Sequence, residues 1–524
     1  VGNDTVLGHV QTTTGKAITT NPSAYPISRQ TAYSQASELL SGRKTDAAYG
    51  VYIGDNTLLS GGNRNVEVSA DMDIDRFSYG IVLAKNAGAE AGGTNGTTVK
   101  IGDGNYTLDA KGKVSSLTPT IAPTIVLAAN KNAGGLVKST APSTPKVPEE
   151  VDEQGNAVYY YSADKNSKAS SFANVTMNGD YNTAYYTAGS VDNFGTIDLR
   201  SQNNLLTVNG SSSANLGYGN LGIVSTNPNV ASTNYGTIIT SMSDTLNQKY
   251  SAGMAAGRNV YNDEGKFVRF EDEGYVVNRG TITVSQDEGI GMFATGTRSK
   301  AINYGTIDLQ GKKAIGIFMA SDSGNSVMKP GSSVYLTKAI DLLGDESIGW
   351  VSQNTGIDGD TKNLVQFNIG KEVQIAAIGN SLTEATKTEK AIGILQDHAK
   401  KTNTAAVIEI GEHTKGSMGV YARQGELNIT APAANSGISS SKIDLQGGKD
   451  NIGMVATANA TVNFDGEAKI SGGEDQKLAL AEAGGKVNLK GAVTAGSASN
   501  FIKNSVTLYA TGNTKIKSQI TTAA

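Results

Sequence analysis

A short motif that recurs through the middle of the chain constrains the fold more than any other feature. The motif Asn-x-Gly-Thr-Ile occurs four times, starting at Asn193, Asn234, Asn278 and Asn303. A second motif, apolar-Gly-apolar, recurs downstream of it, centred on Gly222, Gly253, Gly291, Gly316, Gly349, Gly393, Gly419 and Gly453. Gly280 and Gly305 lie 25 residues apart, as do Gly291 and Gly316. A fixed period of this length indicates a repeat protein.

The residue order within each repeat is that of a β-strand followed by a turn. The sequence Thr306-Ile-Asp-Leu309 alternates polar and apolar residues, which sends the apolar side chains to one face. In the first motif Asn can bond its own backbone and Gly carries a positive φ, so the chain bends there. In the second motif we expect the residues flanking Gly to face inward, while Gly allows a sharp turn or close packing.

These patterns predict an all-β fold, a right-handed parallel β-helix built from rungs of about 25 residues. Leucine-rich repeats have units of similar length, but their Leu-x-x-Leu-x-Leu signature does not occur. Apolar residues make up 38% of the chain, below the ~45–50% typical of a globular protein, and there are 63 glycines. This composition suits a long, thin core better than one large compact core.

Residues 100–186 interrupt the repeat. The pattern fades and prolines accumulate, at Pro119, Pro123, Pro142, Pro145 and Pro148. We therefore divide the chain into N-terminal rungs with a cap (1–99), an irregular loop-rich insertion (100–186), regular rungs (187–490) and C-terminal rungs (491–524). A short capping helix is expected at residues 34–40. Insertions in solenoids sit at turns and often form the binding face.

Two tyrosine clusters near the end of this segment are the candidate ligand-binding residues. They are Tyr159, Tyr160, Tyr161, Tyr181, Tyr185 and Tyr186. Exposed tyrosines can stack on sugar rings or anchor a protein contact. The alternative interpretation is that they pack a small subdomain onto the helix.

No pattern predicts catalysis, a metal site or a cofactor, so we expect the protein not to be an enzyme. Asp71, Asp73 and Asp75 lie on one strand face and could bind Ca²⁺. They could equally be a solvated outer face above an inward Met72 and Ile74. The chain has three scattered histidines, no cysteine, and no Gly-x-Ser-x-Gly motif. The single tryptophan, Trp350, occupies the motif position filled elsewhere by Met292, Ile317, Ile394 and Met454, and is therefore expected in the core.

Charge and hydropathy exclude two further classes of protein. The net charge is −4, without a long basic run, which disfavours nucleic-acid binding. The most apolar stretch, residues 121–129, is interrupted by Pro123 and is far shorter than the ~18 residues of a membrane-spanning helix.

The Asn-x-Gly-Thr-Ile and Ile-Gly-apolar units resemble the passenger domains of type V autotransporters, in particular the large fusobacterial outer-membrane adhesins. The resemblance covers roughly residues 193–489. It implies a cleaved signal peptide, a β-helical passenger at the bacterial cell surface, and a C-terminal outer-membrane barrel outside this fragment. It transfers no binding residue to a position in this chain.

The resulting functional hypothesis is a monomeric adhesin passenger. Its expected partners are a host cell-surface receptor or glycan, or the surface proteins of other bacteria. Two alternatives remain open. One is a self-associating, biofilm-forming passenger in which polar Asn/Thr ladders join two molecules, and the other is a polysaccharide-degrading β-helix enzyme.

Overall fold

A computed structural model describes most of the chain in segments. These are residues 5–7, 10–12, 49–53, 64–74, 79–83, 96–110, 112–127, 157–179, 182–201, 206–208, 211–213, 219–243, 251–261, 267–271, 273–295, 298–320, 333–336, 338–352, 364–370, 388–397, 401–432, 436–496, 502–511 and 515–518. They fall into two units, Val1–Ile282 and Thr283–Ala524. Within these segments no helix is long and apolar enough to cross a membrane.

Each unit is a coil whose turns contribute parallel strands to three faces. Strands of the first face end at the Asn of the first motif, strands of the second face begin at its Thr, and strands of the third face contain the apolar-Gly-apolar motif. Rungs pair in register, as in Val158 with Thr183 and Ile290 with Ile315, each 25 residues apart. The predicted parallel β-helix is confirmed.

In the first unit each face is one series of neighbouring strands. The first face contains Thr5–Leu7, Arg64–Val68, Thr97–Ile101, Lys168–Ser171, Ser190–Asn193, Ser232–Asn234 and Tyr275–Asn278. The second contains Val10–Thr12, Met72–Ile74, Thr124–Leu127, Asn174–Met177, Thr196–Ser201 and Thr237–Ile239. The third contains Tyr49–Ile53, Tyr79–Leu83, Val158–Ser162, Thr183–Thr187, Leu221–Ser225 and Ala252–Ala256.

Antiparallel hairpins interrupt the rungs of this unit. They are Asp103–Leu108 with Val114–Ile121, Leu206–Val208 with Ser211–Ser213, and Arg258–Tyr261 with Phe267–Glu271. The strand Thr281–Val284 contains the boundary between the units.

The second unit repeats the same arrangement. Its first face contains Lys300–Asn303, Ser333–Leu336, Glu426–Ile429, Thr461–Phe464, Lys486–Leu489 and Lys515–Ser518. Its second contains Thr306–Leu309, Ile340–Leu342, Ser441–Leu445, Gly466–Ile470 and Val493–Ala495, and Leu364–Ile369 and Lys401–Ile410 pair with strands of both these faces. The third contains Ile290–Thr295, Ile315–Ala320, Ile348–Ser352, Ile392–Gln396, Met418–Ala422, Ile452–Ala456, Lys477–Ala481 and Val506–Ala510. Two-residue strands Thr388–Glu389, Thr414–Lys415, Gly473–Glu474 and Ile502–Lys503 form short ladders between the second and third faces.

The core runs inside the coil, as the alternation of the motif predicts. Ile307 and Leu309 are fully buried, while Thr306 and Asp308 between them are partly exposed. Trp350 is also fully buried, so its assignment to the core is confirmed.

The corner after the first face is held by a buried asparagine ladder. Asn193 Nδ2 donates to Asn234 Oδ1 at 2.9 Å, and Asn234 Nδ2 donates to Asn278 Oδ1 at 2.9 Å. Two of these amides also donate to their own turns, Asn193 to the Gly195 carbonyl at 3.1 Å and Asn234 to the Gly236 carbonyl at 3.2 Å. The predicted turn chemistry of Asn is confirmed. Because this ladder is inside the coil, it offers nothing for joining two molecules.

The role predicted for the motif glycine was wrong. Gly195, Gly236 and Gly280 are not among the residues with positive φ. Instead, a Cβ at Gly236 would overlap the carbonyl oxygen of Gly195 in the preceding rung. Glycine is required because the backbones of successive rungs approach closely at this corner.

The glycine of the second motif also serves close packing, but its two neighbours are not equivalent. A Cβ at Gly393 would lie 2.6 Å from the Gly419 carbonyl oxygen and 3.3 Å from the inward side chain of Ile408. Ile394, after the glycine, is fully buried, whereas Ile392, before it, is partly exposed. The expectation that both flanking residues face inward is therefore corrected.

The corner between the second and third faces of the second unit was not predicted. One residue per turn adopts positive φ there although it is usually not glycine, as at Glu288, Lys313 and Glu346. Its amide donates to a carbonyl of the next rung, as Glu288 does to Lys312 at 2.9 Å and Lys313 to Asp345 at 2.8 Å. Opposite charges meet along this corner, with Lys313 Nζ 3.4 Å from Glu288 Oε1.

The irregular segment expected at residues 100–186 is shorter than predicted. Thr124–Leu127 returns to the second face, and the strands Val158–Ser162, Lys168–Ser171, Asn174–Met177 and Thr183–Thr187 belong to ordinary rungs. The described irregular part is the hairpin Asp103–Ile121, while residues 128–156 and the expected capping helix at 34–40 lie outside the described residues.

Candidate functional site

An aromatic column runs along the outside of the asparagine corner in the first unit. Its members occupy the variable position of the first motif or its equivalent, at Phe172, Phe194 and Tyr235. The rings of Phe172 and Phe194 stack with centroids 4.7 Å apart, and those of Phe194 and Tyr235 also lie 4.7 Å apart. The rung spacing of ~4.8 Å sets these distances, because equivalent positions of parallel strands lie directly above one another.

The hairpin Asp103–Ile121 lies across this column. The Tyr106 ring is centred 4.5 Å from the Phe194 ring and 5.1 Å from the Tyr235 ring. Gly104 sits against Phe172, where a Cβ would come within 2.5 Å of the ring. The hairpin thus crosses several rungs, and the outward-facing Phe194 is only 4% exposed beneath it.

Arg279, which fills the variable position of the next motif, fixes the tip of the hairpin. Its Nη1 donates to the Gly112 carbonyl at 2.6 Å, and its own carbonyl accepts from the Val114 amide at 3.0 Å. Gly112 has φ +79°, and a Cβ there would overlap the guanidinium. The positive φ therefore favours glycine at the tip.

The hairpin leaves apolar side chains and a shallow groove at the surface. Tyr106 is 42% exposed, Leu108 41% and Ile121 46%. The groove runs between the hairpin and the start of the second face, and is lined by Lys113, Val114, Leu117, Tyr235, Gly236, Thr237, Gly280 and Thr281. An aromatic surface beside hydroxyl and ammonium donors can hold a sugar ring or a polar protein loop.

One carboxyl group lies close to the column. Burial raises the pKa of Asp192 to about 6. The hydrogen bond from Thr233 and the positive charges of Arg279 and Lys168 lower the pKa, but by less than burial raises it. Burial also raises the pKa of Tyr235, and the charge of Asp192 adds to this shift. Protonation of Asp192 therefore takes place in mildly acidic solution.

This shift predicts a pH-dependent stability. The folded pKa exceeds the ordinary value of 3.8, so the folded state binds the proton more tightly, and this stabilisation, complete below pH ~4, is lost as the pH rises through about 6. The expected loss is roughly 2–3 kcal/mol. Urea unfolding of the native chain and Asp192→Asn at pH 4.5 and 7.5 measures it. The variant should gain stability relative to the native chain at the higher pH, and an equal difference at both pH values would contradict the assignment.

Comparison with known families agrees with this architecture. The model of the BigA third pectate lyase-like domain matches residues 8–331, more than half of the chain. The chain belongs to this family. No curated protein and no solved structure matches it. The matched residues of this chain include the hairpin and the aromatic column.

Within this pectate lyase-like coil, the tyrosines proposed from the sequence do not form one exposed cluster. Tyr159, Tyr160 and Tyr185 are fully buried inside the helix, which corrects their assignment as surface residues. The Tyr185 hydroxyl lies 2.7 Å from Ser171 Oγ. Burial and the neighbouring Tyr185 raise the pKa of Tyr159 well above its usual value. None of the three rings presents a surface to a ligand, because each is fully buried.

The other three candidates differ among themselves. Tyr161 and Tyr186 stack with centroids 5.4 Å apart in a cluster with Tyr79, separate from the aromatic column. Tyr161 is 7% exposed and Tyr186 is partly exposed, so a ligand-binding role for them stays a prediction. Tyr181 lies outside the described residues.

The described aspartates of the row, Asp71 and Asp73, lie on the outer side of their strand. Met72 and Ile74 are fully buried, and Asp71 Oδ1 accepts a hydrogen bond from the Thr124 amide at 2.7 Å. Asp75 lies outside the described residues. Within the described segments no group of three His, Asp or Glu side chains could hold a metal ion.

Sequence reasoning missed the hairpin and the column. Two signals were present: the aromatic residues at the variable motif position, Phe194 and Tyr235, and the Gly112 turn between two β-prone stretches. Neither shows that the hairpin crosses the column, because the contact between Tyr106 and Tyr235 joins residues 129 positions apart.

Proposed function

We propose that this chain is an adhesive module displayed at the bacterial outer membrane, which binds a receptor without changing it chemically. The observation that carries the proposal is the hairpin face: the hairpin Asp103–Ile121, the aromatic column beneath it and the groove beside it. Expected partners are a host cell-surface protein or glycan, or a surface protein of another bacterium. The autotransporter-like motifs support display as a passenger.

The hairpin face suits recognition because it is held in place before a ligand arrives. Ring stacking fixes Tyr106, and Arg279 fixes the tip through two hydrogen bonds. An aromatic side chain already held in one geometry loses little conformational entropy when it binds. The solvent-facing side of Tyr106, together with Leu108 and Ile121, forms the contact surface.

A polysaccharide-degrading enzyme is the second candidate, and the pectate lyase-like description of the family favours it. Glycoside hydrolysis commonly uses two carboxyl groups on either side of the scissile bond. Of the residues that line the described groove, Lys113 alone is strongly ionisable. The carboxyl group of Asp192, beside the column, is only partly exposed. The groove itself therefore supports binding better than hydrolysis.

Substitution of Tyr106 tests the proposal. Tyr106→Ala should reduce binding to a glycan and receptor array at least tenfold, because the variant removes the exposed ring while leaving the coil intact. Tyr509→Ala is the matched control, since Tyr509 is 45% exposed and lies in the other unit. Both variants are compared with the native chain at nanomolar concentration. Equal binding by the native chain and Tyr106→Ala would overturn the proposed site.

A further inference from the structure

The outer surface of the third face in the second unit is apolar. A Cβ added at Gly393 would face inward, towards Ile408, and the side chain of Ile394 after it is fully buried. Alternation is interrupted at this pair of inward residues, so the residue before the glycine and the second residue after it both point outward, as the partial exposure of Ile392 and Leu395 indicates. These positions form two columns, which we call the outer stripe: Ile290, Ile315, Ile348, Ile392, Met418, Ile452, Lys477 and Val506 in one, and Phe293, Phe318, Val351, Leu395, Tyr421, Val455, Leu480 and Tyr509 in the other.

Exposure of the outer stripe is lowest at its first strand and highest at its last. The buried positions are Ile290, Phe293, Phe318, Val351 and Val455. Each of the seven strands from Ile315 onward nevertheless presents at least one apolar outward residue that is partly or fully exposed. At the last strand Val506 is 41% and Tyr509 45% exposed. Contiguous exposed apolar surface of this kind marks an interaction site.

The two other faces of the same unit differ in their outward residues. On the first face Asn428 donates to Asn403 at 2.8 Å and Asn463 donates to Asn428 at 2.7 Å, forming a partly exposed polar ladder. On the second face Lys442 lies 3.5 Å from Glu409. The fold therefore accepts polar outward residues on these two faces, so it does not itself require the apolar outward residues of the third face.

We propose that the outer stripe docks against the outer stripe of a second copy of this chain. Among its sixteen positions only Lys477 is charged, so two stripes can meet with little desolvation of charge. Both surfaces would share the ~4.8 Å strand repeat, and sheets pack face to face at ~10 Å with interdigitating side chains. This inference goes beyond the proposed receptor binding, because it uses a different surface in the other unit.

The area of the outer stripe sets the expected affinity of the dimer. Seven strands at ~4.8 Å spacing and ~16 Å of strand length give about 540 Å² per copy, or about 1,100 Å² for both. This lies near the lower limit for specific interfaces. The contact should therefore be a reversible dimer that forms at micromolar concentration, and not a permanent one.

Sedimentation velocity of the full chain between 1 and 200 µM tests the inference. The native chain should shift from monomer to dimer across this range. The double variant Leu395→Lys/Leu480→Lys should remain monomeric, because it places two further charges in each stripe. Thr461→Lys is the matched control: it adds a charge at a partly exposed position of the first face and should dimerise like the native chain.

Three outcomes would overturn the proposal. A native chain that stays monomeric would leave the stripe to a different partner, a dimer that persists in the double variant would place the contact elsewhere, and loss of the dimer in Thr461→Lys would implicate the first face. Identical circular dichroism spectra confirm that the variants fold. Tyr106→Ala should dimerise normally, so failure of this inference is distinguishable from failure of the proposed receptor site.

Discussion

Replacing Trp350 by alanine is expected to lower the free energy of unfolding by about 3–5 kcal/mol. Trp350 is fully buried and stacks in register between Ile317 and Ile394 of the neighbouring rungs. Neighbouring strands are held by the hydrogen bonds of the sheet and cannot collapse into the cavity. Urea unfolding followed by far-ultraviolet circular dichroism measures the change, since the substitution removes the only tryptophan.

Trp350→Phe provides the matched control. The indole Nε1 has no hydrogen-bond partner in its buried position, so losing it breaks no polar contact. The phenylalanine variant should lower the free energy of unfolding by no more than ~1.5 kcal/mol, because phenylalanine still fills most of the buried space that alanine would leave empty. If alanine cost less than ~1 kcal/mol, Trp350 would not be part of the core of the coil.

Replacing Gly236 by alanine is expected to destabilise the first unit by about 3 kcal/mol or more. The new Cβ would overlap the Gly195 carbonyl oxygen, which accepts the Thr237 amide hydrogen bond at 3.1 Å. The rungs must therefore separate where the asparagine ladder and the aromatic column both depend on their spacing. Chemical unfolding combined with hydrogen exchange of the first unit measures the effect.

A glycine in open space serves as the control for this substitution. Gly437 has φ +73°, a Cβ placed on it would have no neighbour within 4 Å, and asparagine tolerates that conformation better than other residues. Gly437→Asn should change stability by less than ~0.5 kcal/mol. A Gly236→Ala variant as stable as Gly437→Asn would show that the rungs are not closely packed at the asparagine corner.

The rungs could be predicted from the sequence because their determinants are local and repeated. Alternation within Thr306-Ile-Asp-Leu309 defines a strand, and the 25-residue interval between Gly291 and Gly316 defines its stacking. Trp350 could be placed in the core because it shares a position with Ile317 and Ile394. Each inference needs only residues near one another or one period apart.

The candidate site could not be predicted because its contacts are not local. The hairpin turns across the rungs, and Tyr106 meets rings that are neighbours only once the coil has formed. The prediction that Tyr159, Tyr160 and Tyr185 are exposed was wrong for a related reason. The coil interior accepts large aromatic side chains such as Tyr159 and Tyr185, so an aromatic cluster beside an irregular segment need not be exposed.

The corners show a further limit of sequence reasoning. Gly236 was expected to supply positive φ, whereas the residues with positive φ in the second unit include Lys313 and Glu346. Inter-rung hydrogen bonds and opposite charges stabilise these turns, and both depend on the neighbouring rung. No single-sequence turn signal contains that information.

In the proposed function, this β-helix binds its ligand through the hairpin face and leaves the ligand unchanged. Mass spectrometry of the ligand retained by the native chain, and of a pectin-type polysaccharide, after prolonged incubation with the purified chain tests it most directly. We predict that both are recovered intact, with retention of the array ligand lost in Tyr106→Ala. Shortened or unsaturated glycan products that accumulate with the native chain would contradict the claim and establish the enzymatic alternative.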